Sequence, residues 1–288
     1  MLAALDDDTA DACVTDPPYE LGFMDCAWDG TGIAYDTVFW RDVLRVLKPG
    51  AHALVFTAAR TYHRVACAME DAGFDIRDQI DWVYASGMPH GRDLGDGWHT
   101  LLKPAHEPIV VARKPGGTGG LHVDACRIPV KAGERTTNGT GSVRKTRKTT
   151  GIYGEYSYSH LASAPSGKGR FPSNMLFDQP MAAELDLRSA GVSRMFPVFR
   201  YEPKAAQAER PRADGIAHPT VKPLALMRWL VRLACPVDGL VLEPFAGSGA
   251  TLEACRLERM RCEAAEENPD YATLIRKRLD KPHSLPML

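Results

Sequence analysis

Apolar and polar positions alternate in two separate stretches of the chain, and the elements they predict switch between strand and helix. Ala12-Cys-Val-Thr15 predicts a short strand that ends at Asp16-Pro-Pro-Tyr19. Phe39, Val43, Leu44 and Leu47 fall on one helical face, and Lys48-Pro-Gly50 predicts the stop. Ala51-His-Ala-Leu-Val-Phe56 predicts a strand, and residues 61–71 a helix that stops at Gly73. Ile76–Tyr84 and Pro108–Ala112 predict two more strands. From Pro115 to about Ala217 the chain turns rich in Gly, Pro, Ser, Thr, Lys and Arg and loses its periodicity. Alternation returns with a helix at Leu224–Ala234 and a strand at Gly239–Glu243 feeding a glycine-rich turn. A helix at Ala250–Arg259, a strand at Arg261–Ala265 and a helix at Pro269–Leu279 follow. Strands alternating with helices on both sides of an irregular insert predict one α/β sheet built from two halves of the sequence.

Composition narrows the class. The 288 residues suit one large domain, or a core domain with one insertion. Hydrophobic residues at 44% and charged residues at 25% fit an ordinary globular protein, and no apolar run is long enough to span a membrane. Met1 leads into Leu2-Ala-Ala-Leu-Asp-Asp-Asp with no basic segment, so no secretory signal is expected and a cytoplasmic location is. The seven cysteines form no Cys-x-x-Cys pair, which predicts reduced thiols, without a metal site or a disulfide framework. The net charge of −1 argues mildly against a nucleic-acid partner. Its distribution argues the other way. Lys131, Arg135, Arg144, Lys145, Arg147 and Lys148 share one stretch with a single acid, Glu134, and Tyr153, Tyr156 and Tyr158 follow. Such a stretch suits phosphate contacts, and equally suits a solvated loop.

Four segments carry candidate chemistry. Pro244-Phe-Ala-Gly-Ser-Gly249 lies between a strand and a helix, where Gly247 and Gly249 allow a tight turn and close approach to a ligand. Taken alone, that is also what a plain strand-to-helix turn looks like. One strand later stands Glu266, placed to hold ribose hydroxyls or merely to favour a helix start. Asp16-Pro17-Pro18-Tyr19 ends a strand, and its two prolines fix a backbone that holds two acceptors beside a flat ring. Those are the needs of an amine about to be alkylated. His218-Pro-Thr-Val-Lys-Pro223 leads into the helix at Leu224, with Pro223 suited to its first turn.

Taken together and in this order, the segments resemble the β-class amino DNA methyltransferases, especially those of phages and prophages. That family has D-P-P-Y or S-P-P-Y, then a target-recognition region, H-P-T-x-K-P and D-P-F-x-G-S-G. Ala85-Ser-Gly-Met-Pro-His90, Ala105-His-Glu-Pro108 and Gly169-Arg-Phe-Pro-Ser-Asn174 are similar to further segments of those enzymes, so the resemblance covers nearly the whole chain. It departs at Glu243, where the family usually has Asp, and in a short lead before the first motif.

The resemblance implies a Rossmann-like methyltransferase sheet in permuted order, with S-adenosylmethionine as methyl donor and no metal. Residues 1–113 and 216–288 would form the sheet, and 114–215 the target-recognition insert. The implied catalytic residues are Asp16, Pro17, Pro18 and Tyr19. The implied cofactor residues are His218, Thr220, Lys222, Glu243, Pro244, Phe245, Gly247, Ser248, Gly249 and Glu266. DNA contacts are expected from Arg144, Lys145, Arg147 and Lys148. The implied substrate is double-stranded DNA in a restriction-modification or phage setting, and a homodimer is left open. Asp at the first motif position is more typical of adenine-N6 enzymes and Ser of cytosine-N4 enzymes, so N6-adenine is expected. Cytosine-N4 methylation and a catalytically inactive DNA-binding relative are the alternatives. Cytosine-C5 chemistry needs a nucleophilic cysteine in a Pro-Cys pair, and Cys235-Pro236 runs the other way.

Overall fold

Short apolar runs become the middle of one eight-stranded sheet. The computed structural model describes residues 1–22, 27–85, 87, 91–130, 144–151, 154–161, 169–199, 212–213 and 216–280, with backbone only at 27, 144–151, 154–161, 212–213 and 217. The strands are β1 (Ala10–Thr15), β2 (Leu47–Phe56), β3 (Asp75–Val83), β4 (His106–Arg113), β5 (Met175–Asp178), β6 (Val198–Phe199), β7 (Leu240–Glu243) and β8 (Arg261–Ala264). They lie in the order β6-β5-β3-β4-β2-β1-β7-β8. β4 runs antiparallel to both β2 and β3, and the other neighbours pair in parallel. The predicted strands all form. β1 and β7 are buried on both faces, which is why they read as continuous apolar runs rather than alternating ones.

Helices cover both faces. On one side α1 (Thr37–Val46) and α2 (Tyr62–Ala72) pack Trp40, Val43, Val65 and Met69 against Cys13, Val55, Val110 and Leu242. On the other, α4 (Leu224–Ala234) and α5 (Ala250–Leu257) pack Leu226, Leu230 and Ala254 against Val14, Leu54, Val111 and Val241. α1 ends at Val46 and the chain enters β2 at Leu47, so Lys48-Pro-Gly50 lies inside the strand rather than in a separate turn. α2 stops at Gly73 in the left-handed conformation, as its position predicts. α6 (Pro269–Leu279) starts at an Asn268 cap that accepts the Asp270 amide at 2.9 Å.

One expectation needs correction. The sheet is not built from 1–113 and 216–288 alone, because β5 and β6 come from the insert. β5 adds to the outer edge of β3, pairing Asp81 to Met175 and Val83 to Phe177. A four-residue strand is too short to show a period, so its signal is lost in the irregular composition around it. Asp178 then turns the chain into α3 (Gln179–Arg188), accepting the Met181 amide at 2.7 Å and the Ala85 amide at 3.1 Å.

The basic stretch contains a two-stranded hairpin, residues 144–151 against 154–161. Lys131, Arg135 and Tyr153 lie outside the described residues, as do Ser86, Met88, Pro89 and His90. Among the described residues no helix is long and apolar enough to cross a membrane, no cluster has the makings of a metal site, and the six cysteines are free thiols.

Candidate active site

β1 is the switch point of the sheet. Its parallel neighbours are β2 on one side and β7 on the other, with connecting helices on opposite faces. The carboxyl ends of β1 and β7 therefore open side by side into one crevice, where open α/β sheets place their ligands. Asp16 leaves the end of β1 and Pro244 leaves the end of β7.

An Asp at a strand end ordinarily caps an amide one or two residues on. Pro17 and Pro18 have no amide hydrogen, so the Asp16 carboxylate cannot be satisfied locally. Its Oδ2 meets Lys222 Nζ at 2.9 Å. Its Oδ1 is buried and has no hydrogen-bond partner among the described residues. An orphaned buried acceptor is costly unless a ligand supplies the missing donor. Burial pushes the Asp16 carboxyl above the usual carboxylate range, the Lys222 ammonium pulls it part of the way back, and Glu107 pushes it up again.

Lys222 is the hub of the crevice. It lies in the segment before α4, and Nζ reaches Asp16 Oδ2 at 2.9 Å, Glu107 Oε2 at 3.0 Å and the Tyr19 hydroxyl at 2.9 Å. The ammonium also sits 4.8 Å from the centre of the Phe56 ring and 5.1 Å from that of Tyr19. Burial opposes its charge, but Asp16 and Glu107 outweigh burial and hold Lys222 above an ordinary lysine. Sequence reasoning placed Lys222 with the cofactor residues; the structure places it against Asp16. Glu107, at the start of β4, received no role from the sequence. Its signal was an acid opening an otherwise apolar strand beside His106 and Pro108. Tyr19 donates its hydroxyl to Glu107 Oε2 at 2.9 Å, and its carbonyl accepts from Thr61 at 3.1 Å.

The loop after Tyr19 is folded back by two carboxylates. Asp29 accepts the amides of Glu20 at 2.9 Å and Leu21 at 3.2 Å, while Glu20 accepts those of Gly32 at 2.8 Å and Ala34 at 3.3 Å.

On the β7 side the turn 244–249 carries Gly247 at φ +50° and Gly249 at φ +79°, a left-handed backbone that favours glycine. A Cβ at Gly247 would stand 3.2 Å from His218 Nε2, which brings His218 onto the same turn. Burial lowers the His218 imidazole to about 4, so it is neutral at physiological pH. Its Nδ1 pairs with the Thr220 carbonyl, and its ring meets Tyr271 edge-on at 4.4 Å. Thr220 is exposed. Glu266 follows β8 and grips the turn: Oε2 accepts the Gly247 amide at 2.7 Å and Oε1 the Asn268 amide at 2.9 Å. A cleft of about 190 Å³ beside it is lined by Ala246, Ala264, Ala265 and Ile275, whose small or aliphatic side chains leave room next to the carboxylate. Phe245 is half-buried against Phe39, with ring centres 5.2 Å apart. Ser248 is buried, and its carbonyl meets Arg278 from α6 at 3.4 Å. Arg278 is fully buried and ion-paired to Glu253 of α5, a brace that sequence reasoning missed.

Glu243 sits beneath the turn rather than in the crevice. It accepts hydrogen bonds from the Thr15 and Thr251 hydroxyls and from the Phe245 amide at 3.1 Å. It thereby ties β1, the glycine turn and α5 together. Burial raises its carboxyl to about 8 despite those donors.

Arg144, Lys145, Arg147 and Lys148 lie on the first strand of the hairpin, away from both turns in the sequence. The structure thus brings Asp16, Tyr19, Glu107 and Lys222 together in one group, and His218, Gly247 and Glu266 in another.

An open α/β sheet with a glycine turn and a following acid at one strand end, and an unsatisfied carboxylate at the next, defines a group-transfer site for a nucleoside-type cofactor. The family of DNA methylases acting on N6 and N4 amines matches residues 10–277, and the chain belongs to that family. It is 25% identical over 228 residues to the type II methyltransferase M.HindIII of Haemophilus influenzae, covering 74% of this chain and 57% of that protein. It is 22% identical over 286 residues to the type II methyltransferase M.HpaI of Haemophilus parainfluenzae, covering 97% of this chain and 71% of that protein. Among solved structures, the cytosine-N4-specific PvuII DNA methyltransferase matches with a TM-score of 0.63 at 16% identity, covering 97% of this chain and 83% of that one. The M1.HpyAVI complex with S-adenosylmethionine matches with a TM-score of 0.52 at 19% identity, covering 97% and 91%. At these identities the structures share the fold, and a fold alone does not choose the base.

The family's cofactor is S-adenosylmethionine, and the site fits it. Gly247 and Gly249 at positive φ leave the turn without side chains at those two positions, and the cleft beside Glu266 gives the room a ligand needs. Each Glu266 oxygen has one amide partner and retains a lone pair for a hydroxyl.

Proposed function

We propose that this chain transfers a methyl group from S-adenosylmethionine to the exocyclic N6 amine of adenine in double-stranded DNA. The observation that carries the proposal is Oδ1 of Asp16, a buried acceptor at the end of β1 with no hydrogen-bond partner among the described residues. Bound S-adenosylmethionine supplies an electrophilic methyl group on a sulfonium. In this reading the turn 244–249 takes the cofactor at the backbone of Gly247 and Gly249, beside Pro244, Phe245 and Ser248. Glu266 holds the ribose hydroxyls, and the neutral His218, with Thr220, borders the same turn.

An adenine amine is a weak nucleophile because its lone pair is delocalised into the ring. Hydrogen bonds from its two protons to Asp16 Oδ1 and to the Pro17 carbonyl localise that pair, and the two prolines keep both acceptors in place. As the nitrogen would form its new N–C bond, the methyl C–S bond would break with its electron pair going to sulfur as a neutral thioether, and Asp16, with its raised proton affinity, would be the base that takes the proton the nitrogen sheds. The target base leaves the duplex to reach this crevice, and the Tyr19 ring stacks on it. Asp16 in the first motif position supports adenine over cytosine.

DNA is held by residues 114–215, chiefly through the hairpin. Its register pairs Lys145 with His160 and Arg147 with Tyr158, while Arg144 pairs with Leu161 and Lys148 with Ser157. Cross-strand partners share a face, so Lys145, Arg147, Tyr156, Tyr158 and His160 lie on one side. That basic and aromatic face is the one assigned to DNA.

Asp16→Ala and Asp16→Asn test the proposal. Methyl transfer is expected to fall by about 10²–10⁴-fold, with the calorimetric affinity for S-adenosylmethionine nearly unchanged. Near-normal methylation by either variant would remove Asp16 from the chemistry.

A further inference from the structure

We infer that Lys222 and Glu107 form a charge clamp that positions Asp16: Lys222 holds Oδ2, which leaves Oδ1 as the uncommitted acceptor, and Glu107 with Tyr19 holds Lys222. Both are positioning residues, and the inference rests on the role given to Asp16 above.

The proton count makes the clamp rigid. An ammonium has three hydrogens to donate, and Lys222 has three acceptors within 3.0 Å: Asp16 Oδ2, Glu107 Oε2 and the Tyr19 hydroxyl. The Tyr19 hydroxyl accepts from Lys222, so its own hydrogen is free to go to Glu107 Oε2, where it lies at 2.9 Å. In this arrangement each of these donors has an acceptor. That leaves Lys222 no hydrogen for a cofactor, and it leaves Oδ1 of Asp16 as the acceptor without a partner among the described residues.

The clamp also joins three distant parts of the chain. Asp16 ends β1, Glu107 opens β4, and Lys222 precedes α4. β4 is separated from β1 by β2, and Lys222 bridges the gap between Glu107 and Asp16. The side chains are mostly covered, with exposures of 11% for Lys222, 21% for Glu107 and 25% for Asp16. In such surroundings a lone carboxylate would take up a proton, and one ammonium shared between two carboxylates keeps Asp16 an acceptor. The cluster carries one excess negative charge, which favours a positive charge growing on the amine nitrogen beside it.

The groups facing Asp16 are Lys222, Glu107, Tyr19 of its own turn and Glu243 of β7. Lys222 favours the ionised form of Asp16 and Glu107 disfavours it. Removing each charge in turn must therefore move the Asp16 titration in opposite directions. The test is a carbon-13 NMR titration of aspartate-labelled protein without DNA or cofactor, with the Asp16 signal assigned by its loss in Asp16→Asn. Lys222→Gln is expected to raise the midpoint and Glu107→Gln to lower it, while the charge-keeping Lys222→Arg stays near wild type. Equal or same-sided shifts in the two Gln variants overturn the clamp, whatever the enzyme methylates. Methyl transfer is the second readout. Lys222→Gln is expected to lose about 100-fold in turnover, the scale of an ångström's misplacement of a reacting group, with cofactor affinity held within a few-fold. Loss of cofactor binding in Lys222→Gln would instead return the lysine to the cofactor and overturn the clamp. Opposite titration shifts in an enzyme that methylates no amine would sustain the clamp and reject the proposed function.

Discussion

Glu243→Gln is expected to make the protein more stable at alkaline pH and to leave it unchanged near pH 5. Glu243 is 1% exposed, and burial raises its carboxyl from an ordinary 4.5 to about 8. A raised carboxyl means that the folded state keeps a proton which the unfolded chain has already released. Stability is then full below the unfolded value, falls as the pH climbs through the interval between 4.5 and about 8, and levels off above it. At about 1.4 kcal/mol per unit, the loss across that interval is roughly 4–5 kcal/mol. Glutamine has the same shape and no charge. Its carbonyl can accept from Thr15 and the Phe245 amide as Glu243 Oε1 does, and its amide can donate to the Thr251 hydroxyl. For a chain of this length the gain at pH 8.5 amounts to a melting temperature higher by on the order of 10 °C. Thermal unfolding of both proteins from pH 5 to pH 9 measures it. A variant that melts at or below the wild-type temperature at pH 8.5, while matching it at pH 5, refutes the reasoning.

Other outcomes follow from the same geometry. Gly247→Ala puts a side chain at φ +50° and 3.2 Å from His218 Nε2, so calorimetric affinity for S-adenosylmethionine is expected to drop about tenfold; an unchanged affinity would place the cofactor elsewhere. Arg278→Met removes the buried ion pair with Glu253 and should cost about 3–5 kcal/mol in urea unfolding, with Glu253→Gln in the same chain recovering part; a wild-type midpoint would show that the brace carries no load. Lys145→Gln with Arg147→Gln should flatten the salt dependence of DNA binding by about one log–log unit per lost phosphate contact, more than Arg144→Gln with Lys148→Gln does. Equal slopes for the two pairs, which remove the same charge, would count against the basic-aromatic face.

The alternating elements were legible because a strand buried on both faces and a helix with one apolar stripe leave distinct patterns. Ala12 to Val14 and Leu240 to Leu242 are unbroken apolar runs, and Phe39, Val43 and Leu44 keep helical spacing, although the residues α1 buries are Trp40, Val43 and Val46. β5 was not legible, since its four residues owe their strand to the exposed edge of β3 rather than to their own period. At the site, the residues that advertise themselves are those with unusual backbone chemistry: two prolines after Asp16, and glycines at positive φ after β7. Glu107 and Arg278 were silent because their roles depend on partners more than twenty residues away in sequence, Lys222 and Glu253 respectively. Glu243 stands where the family usually has Asp. In the structure its one carboxylate accepts from both Thr15 and Thr251.

The central claim is that the free oxygen of Asp16 activates an adenine amine. Double-stranded DNA lacking prior methylation, incubated with the purified protein and labelled S-adenosylmethionine, then digested to nucleosides and resolved by mass spectrometry, tests it most directly. The account predicts label in N6-methyladenine, lost in Asp16→Ala while cofactor binding persists. Label confined to N4-methylcytosine, or undiminished in Asp16→Ala, would contradict it.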